Sequence, residues 1–157
     1  MADEKPEQRT LNGSGKRFAI IAARFNQSVV DSMIAGALDV LEKHQVDVES
    51  VPVIRVPGSF ELPLAAKSFA ERHADTDAVI ALGAVIRGET AHFDFVAGQC
   101  ASGLQRAALD TGTPMVFGVL TTDTMQQAIE RADPAAGDKG GDAARAALEM
   151  ADLLARL

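Results

Sequence analysis

The stretch GAVIRGETAHFDFV, from Gly83 to Val96, combines an anion-holding turn with a proton-transfer group. A run of buried-strand type, Ala78-Val79-Ile80-Ala81-Leu82, leads into Gly83. A short polar turn, Arg87-Gly88-Glu89-Thr90, follows. Thr90 can cap the amphipathic helix that starts there, with His92 in its first turn. A helix start presents free N–H groups and a partial positive charge, so it can hold an anion. A histidine beside it, with an ordinary pKa of about 6.5, can move protons near neutral pH. The pair points to proton-transfer chemistry on a small phosphorylated molecule. Taken singly, His92 reads equally well as a surface histidine without a role.

Three further constellations fall at strand ends. Arg24-Phe25-Asn26 sets an aromatic ring in a strand-to-helix loop of a chain with seven Phe and neither Trp nor Tyr. Phe25 is either a stacking platform for a flat heterocycle or a plug closing the sheet edge. Pro57-Gly58-Ser59-Phe60-Glu61 puts a turn, where backbone can approach a ligand, directly before a carboxylate. Glu61 then reads the polar edge of a heterocycle or polyol, or is simply an acid favoured by a helix dipole. Arg131 suits bidentate phosphate binding and Lys139 a point-charge contact, although each alone also reads as ordinary surface charge. His44 and His73 fall at helix ends and are assigned to capping or solvent. Metal-ligand spacing is absent, as are the GxGxxG and Walker patterns. The single cysteine, Cys100, falls mid-helix and reads as core rather than nucleophile.

Strand and helix patterns alternate to position these groups. Strands are expected over Phe18–Ala23, Val48–Val56, Ala78–Leu82 and Met115–Leu120. Pro52 lowers the strand character of the second or places it at an edge. Helices are expected from a Ser28 cap to about His44, from Glu61 to His73, from Thr90 to Gly112, and from Thr124 to Ala132. A last helix follows a flexible Gly137–Gly141 loop. The third helix carries Phe93, Val96, Cys100, Leu104 and Ala107 at helical spacing. Residues 1–15 read as a polar arm with little to bury, and residues 16–157 as one domain. This alternation predicts an α/β three-layer sandwich of flavodoxin type, with a four-stranded parallel sheet. Ligands of such folds bind beyond the carboxyl ends of the strands, where the constellations above collect.

Composition narrows the class. The chain has 157 residues and a net charge of -7, which argues against a general nucleic-acid or anionic-membrane binder. No apolar run approaches the roughly 18 residues of a membrane span. The polar N-terminus lacks a signal-peptide core, so a cytoplasmic protein is expected.

ARFN at 23–26, VPGSFELP at 56–63, GAVIRGETAHFDFV at 83–96, FGVLTTDTMQQAIERA at 117–132 and AGDKG at 136–140 together resemble the lumazine synthase family, in family order and spacing. The resemblance spans most of the chain from about residue 17. It implies a cofactor-independent condensation of 5-amino-6-ribitylaminouracil with 3,4-dihydroxy-2-butanone 4-phosphate, in riboflavin biosynthesis. It implies that Phe25 stacks on the pyrimidine, that Ser59, Phe60 and Glu61 hold the ring and ribityl chain, and that Ala84, Val85 and Ile86 contact the ring edge. Glu89 and Thr90 would bind phosphate with Arg131, Lys139 would assist, and Phe117 would come from a neighbouring subunit. His92 and Arg131 would be catalytic. The family often carries a smaller or neutral residue at the position of Glu89, so this side chain is expected to point away while its N–H faces the phosphate. A homopentamer is implied, with an icosahedral shell allowed because no insertion separates Ala132 from Gly140. Enclosed riboflavin synthase is a possible partner. The alternatives are a lumazine- or flavin-binding paralogue, or a cage protein with little turnover.

Overall fold

The computed structural model describes residues 4, 7 and 9–157; the remaining part of the expected arm lies outside the described residues. Four strands, β1 (Phe18–Ala23), β2 (Val53–Val56), β3 (Ala78–Ile86) and β4 (Met115–Thr122), form one parallel sheet in the order β2-β1-β3-β4. The helices are α1 (Gln27–Lys43), α2 (Leu62–Arg72), α3 (His92–Thr111), α4 (Met125–Ala132) and α5 (Lys139–Arg156). The parallel four-stranded sandwich expected from the alternation is therefore the fold of this chain.

The two central strands are apolar on every residue because both faces of the sheet are covered. Their alternation sorts side chains between two cores. Phe18, Ile20, Ala22, Ile80 and Leu82 pack with Met33 and Leu41 of α1 and with Ala144 and Leu148 of α5. Ile21, Val79 and Ala81 pack on the other face with Leu62 and Ala66 of α2 and with Cys100 and Leu104 of α3.

Several boundaries differ from the sequence reading, each for a physical reason. Asn26, not Ser28, precedes α1, in a left-handed conformation (φ 58°) that asparagine tolerates. Residues Val48–Ser50 form a 3-10 turn held by Asp47, whose side chain accepts from the Glu49 N–H. That leaves β2 short, at the sheet edge, with Pro52 just before it. Helix α2 starts one residue late, after a 3-10 turn at Ser59–Glu61. Helix α3 starts at His92; Thr90 reaches only the His92 N–H, at 3.4 Å. Strands β3 and β4 run on to Ile86 and Thr122. Residues 11–15 are not all free of the body. Leu11 packs on the α1–α5 core, and the buried Gly13 donates its N–H to the His44 carbonyl at 2.6 Å.

The loop expected at Gly137–Gly141 is instead the start of α5. Asp138 caps it, accepting from the Gly141 N–H at 3.1 Å. Gly140 is buried against the Met33 backbone of α1, where an added Cβ would overlap the Met33 carbonyl. These glycines serve close helix packing rather than flexibility. Replacement Gly140→Ala gains roughly 1 kcal/mol of helix propensity. It must also push two helix backbones apart, and overpacking of this kind costs about 1–3 kcal/mol or more. The expected net result is a lower urea midpoint, and an unchanged or raised midpoint would show that the crossing is loose.

Candidate active site

The site grows from a difference in strand length. β1 pairs with β3 only as far as Ala22 opposite Leu82, whereas β4 follows β3 to Ile86 opposite Thr122. Four residues of β3 therefore outrun β1. Asn26 closes part of the open edge, donating from Nδ2 to the Ala84 carbonyl at 2.9 Å. Peptide groups alternate in direction along a strand, so those of Ile86 turn to the same side that β1 has vacated. This point, between β1 and β3, is where the strand order reverses, the usual place for a ligand in such sheets.

Gly83 makes the overhang possible. An added Cβ there would meet Ser59 Oγ and lie 3.3 Å from Leu62 Cδ1, so the 3-10 turn can settle directly on the strand. Ser59 is buried beneath the site as a result. Glu61 folds back, its Oε2 accepting from the Gly58 N–H at 2.9 Å. A carboxylate has several acceptor sites, so this bond leaves capacity for a ligand.

A cavity of about 750 Å³ sits on this overhang. It brings together Phe25, Ser59, Phe60, Glu61, Ala84, Val85, Ile86, Thr90 and His92, all expected from the sequence. Asn26, Gly58, Gly88, Phe93, Phe95, Val96 and Met125 also line it. Of these, Asn26 had a signal in the ARFN motif, and Phe93 and Val96 were placed only in the helix core. Phe95 lies in the 83–96 motif and Met125 in the 117–132 motif, but neither was singled out for a site role. Phe25 is 73% exposed and Phe60 is 58% exposed, so neither plugs the core; both stand as free rings on the cavity wall. His92 is exposed at the first residue of α3.

The remaining expected residues lie elsewhere in the chain. Glu89 is exposed in the loop before α3 and outside the cavity lining, in keeping with a side chain pointing away. Phe117 is 42% exposed on the edge strand β4, opposite Ala81 and well below the overhang. Arg131 is exposed on α4, its Nη1 donating to the Gln127 carbonyl at 3.1 Å. Lys139 pairs with Asp142 at 3.3 Å at the start of α5. None of these four lines the cavity of its own chain. His44 and His73 end α1 and α2, each with Nδ1 against a carbonyl four residues back. Cys100 is buried, and burial pushes its thiol up to about 12, which leaves it unsuited to nucleophilic work.

Among the described residues no helix is long and apolar enough to cross a membrane. The family model for 6,7-dimethyl-8-ribityllumazine synthase matches residues 15–155. The chain is 53% identical over 143 residues to the 6,7-dimethyl-8-ribityllumazine synthase of Salinibacter ruber, covering 91% of each chain. It is 50% identical over 147 residues to the protein of that name from Nitratidesulfovibrio vulgaris strain DP4, covering 94% of each. With that match over nearly its whole length, and the family's motifs gathered at one sheet edge, this chain belongs to the 6,7-dimethyl-8-ribityllumazine synthase family.

Proposed function

We propose that this protein condenses 5-amino-6-ribitylaminouracil with 3,4-dihydroxy-2-butanone 4-phosphate, giving 6,7-dimethyl-8-ribityllumazine, phosphate and a pair of water molecules. The single observation that carries the reading is the cavity on the β3 overhang. It has an aromatic ring on one wall, a strand edge as its floor and His92 beside an anion loop at its mouth. Phe25 stacks on the pyrimidine, Ile86 peptide groups meet its polar edge, and Ser59, Phe60 and Glu61 hold the ribityl chain. The phosphate sits at Gly88–Thr90. One amine adds to the ketone and water leaves as an imine forms; phosphate is eliminated; the other amine then attacks the remaining carbonyl, and the ring closes as a second water leaves. Each step moves a proton, and His92 is the acid/base group. Holding two substrates together supplies much of the remaining acceleration.

Phe117, Arg131 and Lys139 reach a site only if a second copy presents them. Large apolar side chains are exposed on both sides of such a contact. Phe25, Phe60 and Phe95 surround the cavity, while Phe117 and Ile129 lie on β4 and α4. A surface of one kind meeting a surface of another is head-to-tail, and it closes as a ring when the rotation is commensurate. We read the working unit as a homopentamer with a site at each contact, where Arg131 of the neighbouring copy stabilises the departing phosphate. A shell of about 60 chains is the further assembly this ring allows, with riboflavin synthase as the enclosed partner.

Purified protein should produce lumazine from the two substrates, followed by absorbance; failure with an intact assembly would return the chain to a binding role. Replacement His92→Ala should lower kcat by about 10²–10⁴-fold, less where water carries the protons, with both KM values little changed. An unaltered kcat across about pH 6–8 removes His92 from the mechanism. For Phe25→Ala, titration should show the uracil substrate and the product weakened by on the order of 1 kcal/mol beyond lost burial, and the phosphorylated substrate less affected. Native mass measurement should return a pentamer or a multiple of it; a monodisperse monomer that is fully active sinks the shared site.

A further inference from the structure

Arg87 follows β3 directly, between the strand edge and the anion loop, and it is not among the residues lining the cavity. Its backbone N–H extends the sheet, donating to the Thr122 carbonyl at 2.8 Å. Its guanidinium makes three contacts on two other elements. Nε pairs with Asp123 Oδ1 at 3.1 Å in the β4–α4 turn. Nη2 stands 3.5 Å from Asp94 Oδ1 in the first turn of α3. The guanidinium carbon lies 4.2 Å from the centre of the Phe93 ring.

The residues it holds are the two that follow His92. Helix α3 has no side-chain cap hydrogen bond at Ala91, and the contact from Thr90 to the His92 N–H is long at 3.4 Å. Arg87 is therefore the main tie between the first turn of α3 and the neighbouring β4–α4 turn. It also lies among carboxylates. Asp94 and Asp123 flank the anion loop, and Glu89 stands in it. Without a cation between them, those two acids would repel a phosphate approaching Gly88–Thr90.

Resting on the reading above, we propose that Arg87 is a positioning residue for the reaction. It fixes the helix turn that carries His92 and cancels the charge of Asp94 and Asp123 beside the phosphate loop. Its fork geometry reaches both acids and the ring face together, which a lysine cannot do.

Three variants, Arg87→Ala, Arg87→Lys and a charge-cancelled triple Arg87→Ala/Asp94→Asn/Asp123→Asn, test this in the full assembly. The readouts are KM for each substrate, kcat, and affinity for inorganic phosphate. For Arg87→Ala, the phosphorylated substrate and inorganic phosphate should weaken roughly tenfold, the scale of a lost charge-assisted contact. KM for the uracil substrate should stay within about twofold. Arg87→Lys should recover part of the loss, and the triple variant should recover phosphate affinity but not the full kcat. Equal weakening of both substrates with no recovery in the triple variant would make Arg87 merely structural and overturn the proposal. If Arg87→Ala does not assemble, Asp123→Asn alone serves. It should tighten phosphate by about two- to fivefold at low salt and less at high salt, and no change overturns the proposal. Wild-type protein without turnover or phosphate binding would sink the enzyme reading and this proposal together. Active wild type with an unaffected Arg87→Ala sinks the proposal alone.

Discussion

The site depends on one mismatch in a parallel sheet: β3 continues for four residues after β1 has turned away. Sheet hydrogen bonding leaves a strand in that position with unpaired peptide groups, and buried unpaired groups are costly. Asn26 satisfies one of them at Ala84. The edge at Ile86 is what remains for a ligand. A flat ring with alternating donors and acceptors is the natural partner for a strip of backbone, because it replaces the missing strand. Everything else at the site is arranged around that strip. Gly83 lets the Ser59 turn close one side, and Phe25 lines the cavity just before the left-handed Asn26.

The same constraint bears on the proposed need for a second copy. The overhang supplies an edge and two aromatic rings, but the cavity of a single chain has no arginine or lysine in its lining. A phosphate leaving group needs a cation in reach as charge develops on it. The chain carries a net charge of -7, so general electrostatics do not draw an anion to it. Arg87 stands beside the cavity but is engaged by Asp94 and Asp123, while Arg131 and Lys139 sit on α4 and α5, outside the cavity of their own chain. In the proposed ring, a head-to-tail neighbour would bring such a face against the cavity and cover exposed apolar rings in the same contact, so that substrate binding and assembly would draw on one surface.

How much of this was legible in the sequence follows from the range of each interaction. The buried strands announced themselves because β1 and β3 are apolar on every residue, and the order of elements followed from their alternation. The end of β3 did not, because Gly83 reads as a breaker when nothing shows that Ser59 will lie against it. The α5 start was hidden for the same reason: Gly140 faces Met33, about a hundred residues earlier, and only the folded crossing explains it. The cap-rich turn over residues 121–124 was legible ahead of α4, whereas the caps expected at Ser28 and Thr90 did not form, Asn26 preceding α1 and Ala91 preceding α3. Phe25 had two readings; its exposure speaks against the core plug, and stacking belongs to the proposed function. The motif residues that gather at the cavity come from all four strand ends, Met125 alone from beyond β4.

A division of labour between rigid and lightly held parts runs through the site. The floor is strand backbone, fixed by β4 along its whole length, and suits recognition of a ring edge that must not shift. The anion loop from Gly88 to Ala91 is exposed and makes few hydrogen bonds within the chain. In the proposed reaction phosphate arrives attached to one substrate and departs as a product, so the group proposed to bind it must also release it, which a lightly held loop allows. Such a loop requires anchors on either side, and here they are the pairing of Ile86 with Thr122 before it and the Arg87 contacts to Phe93 and Asp94 after it. His92 lies between those anchors, at the first residue of α3, and lines the same cavity as the strand floor.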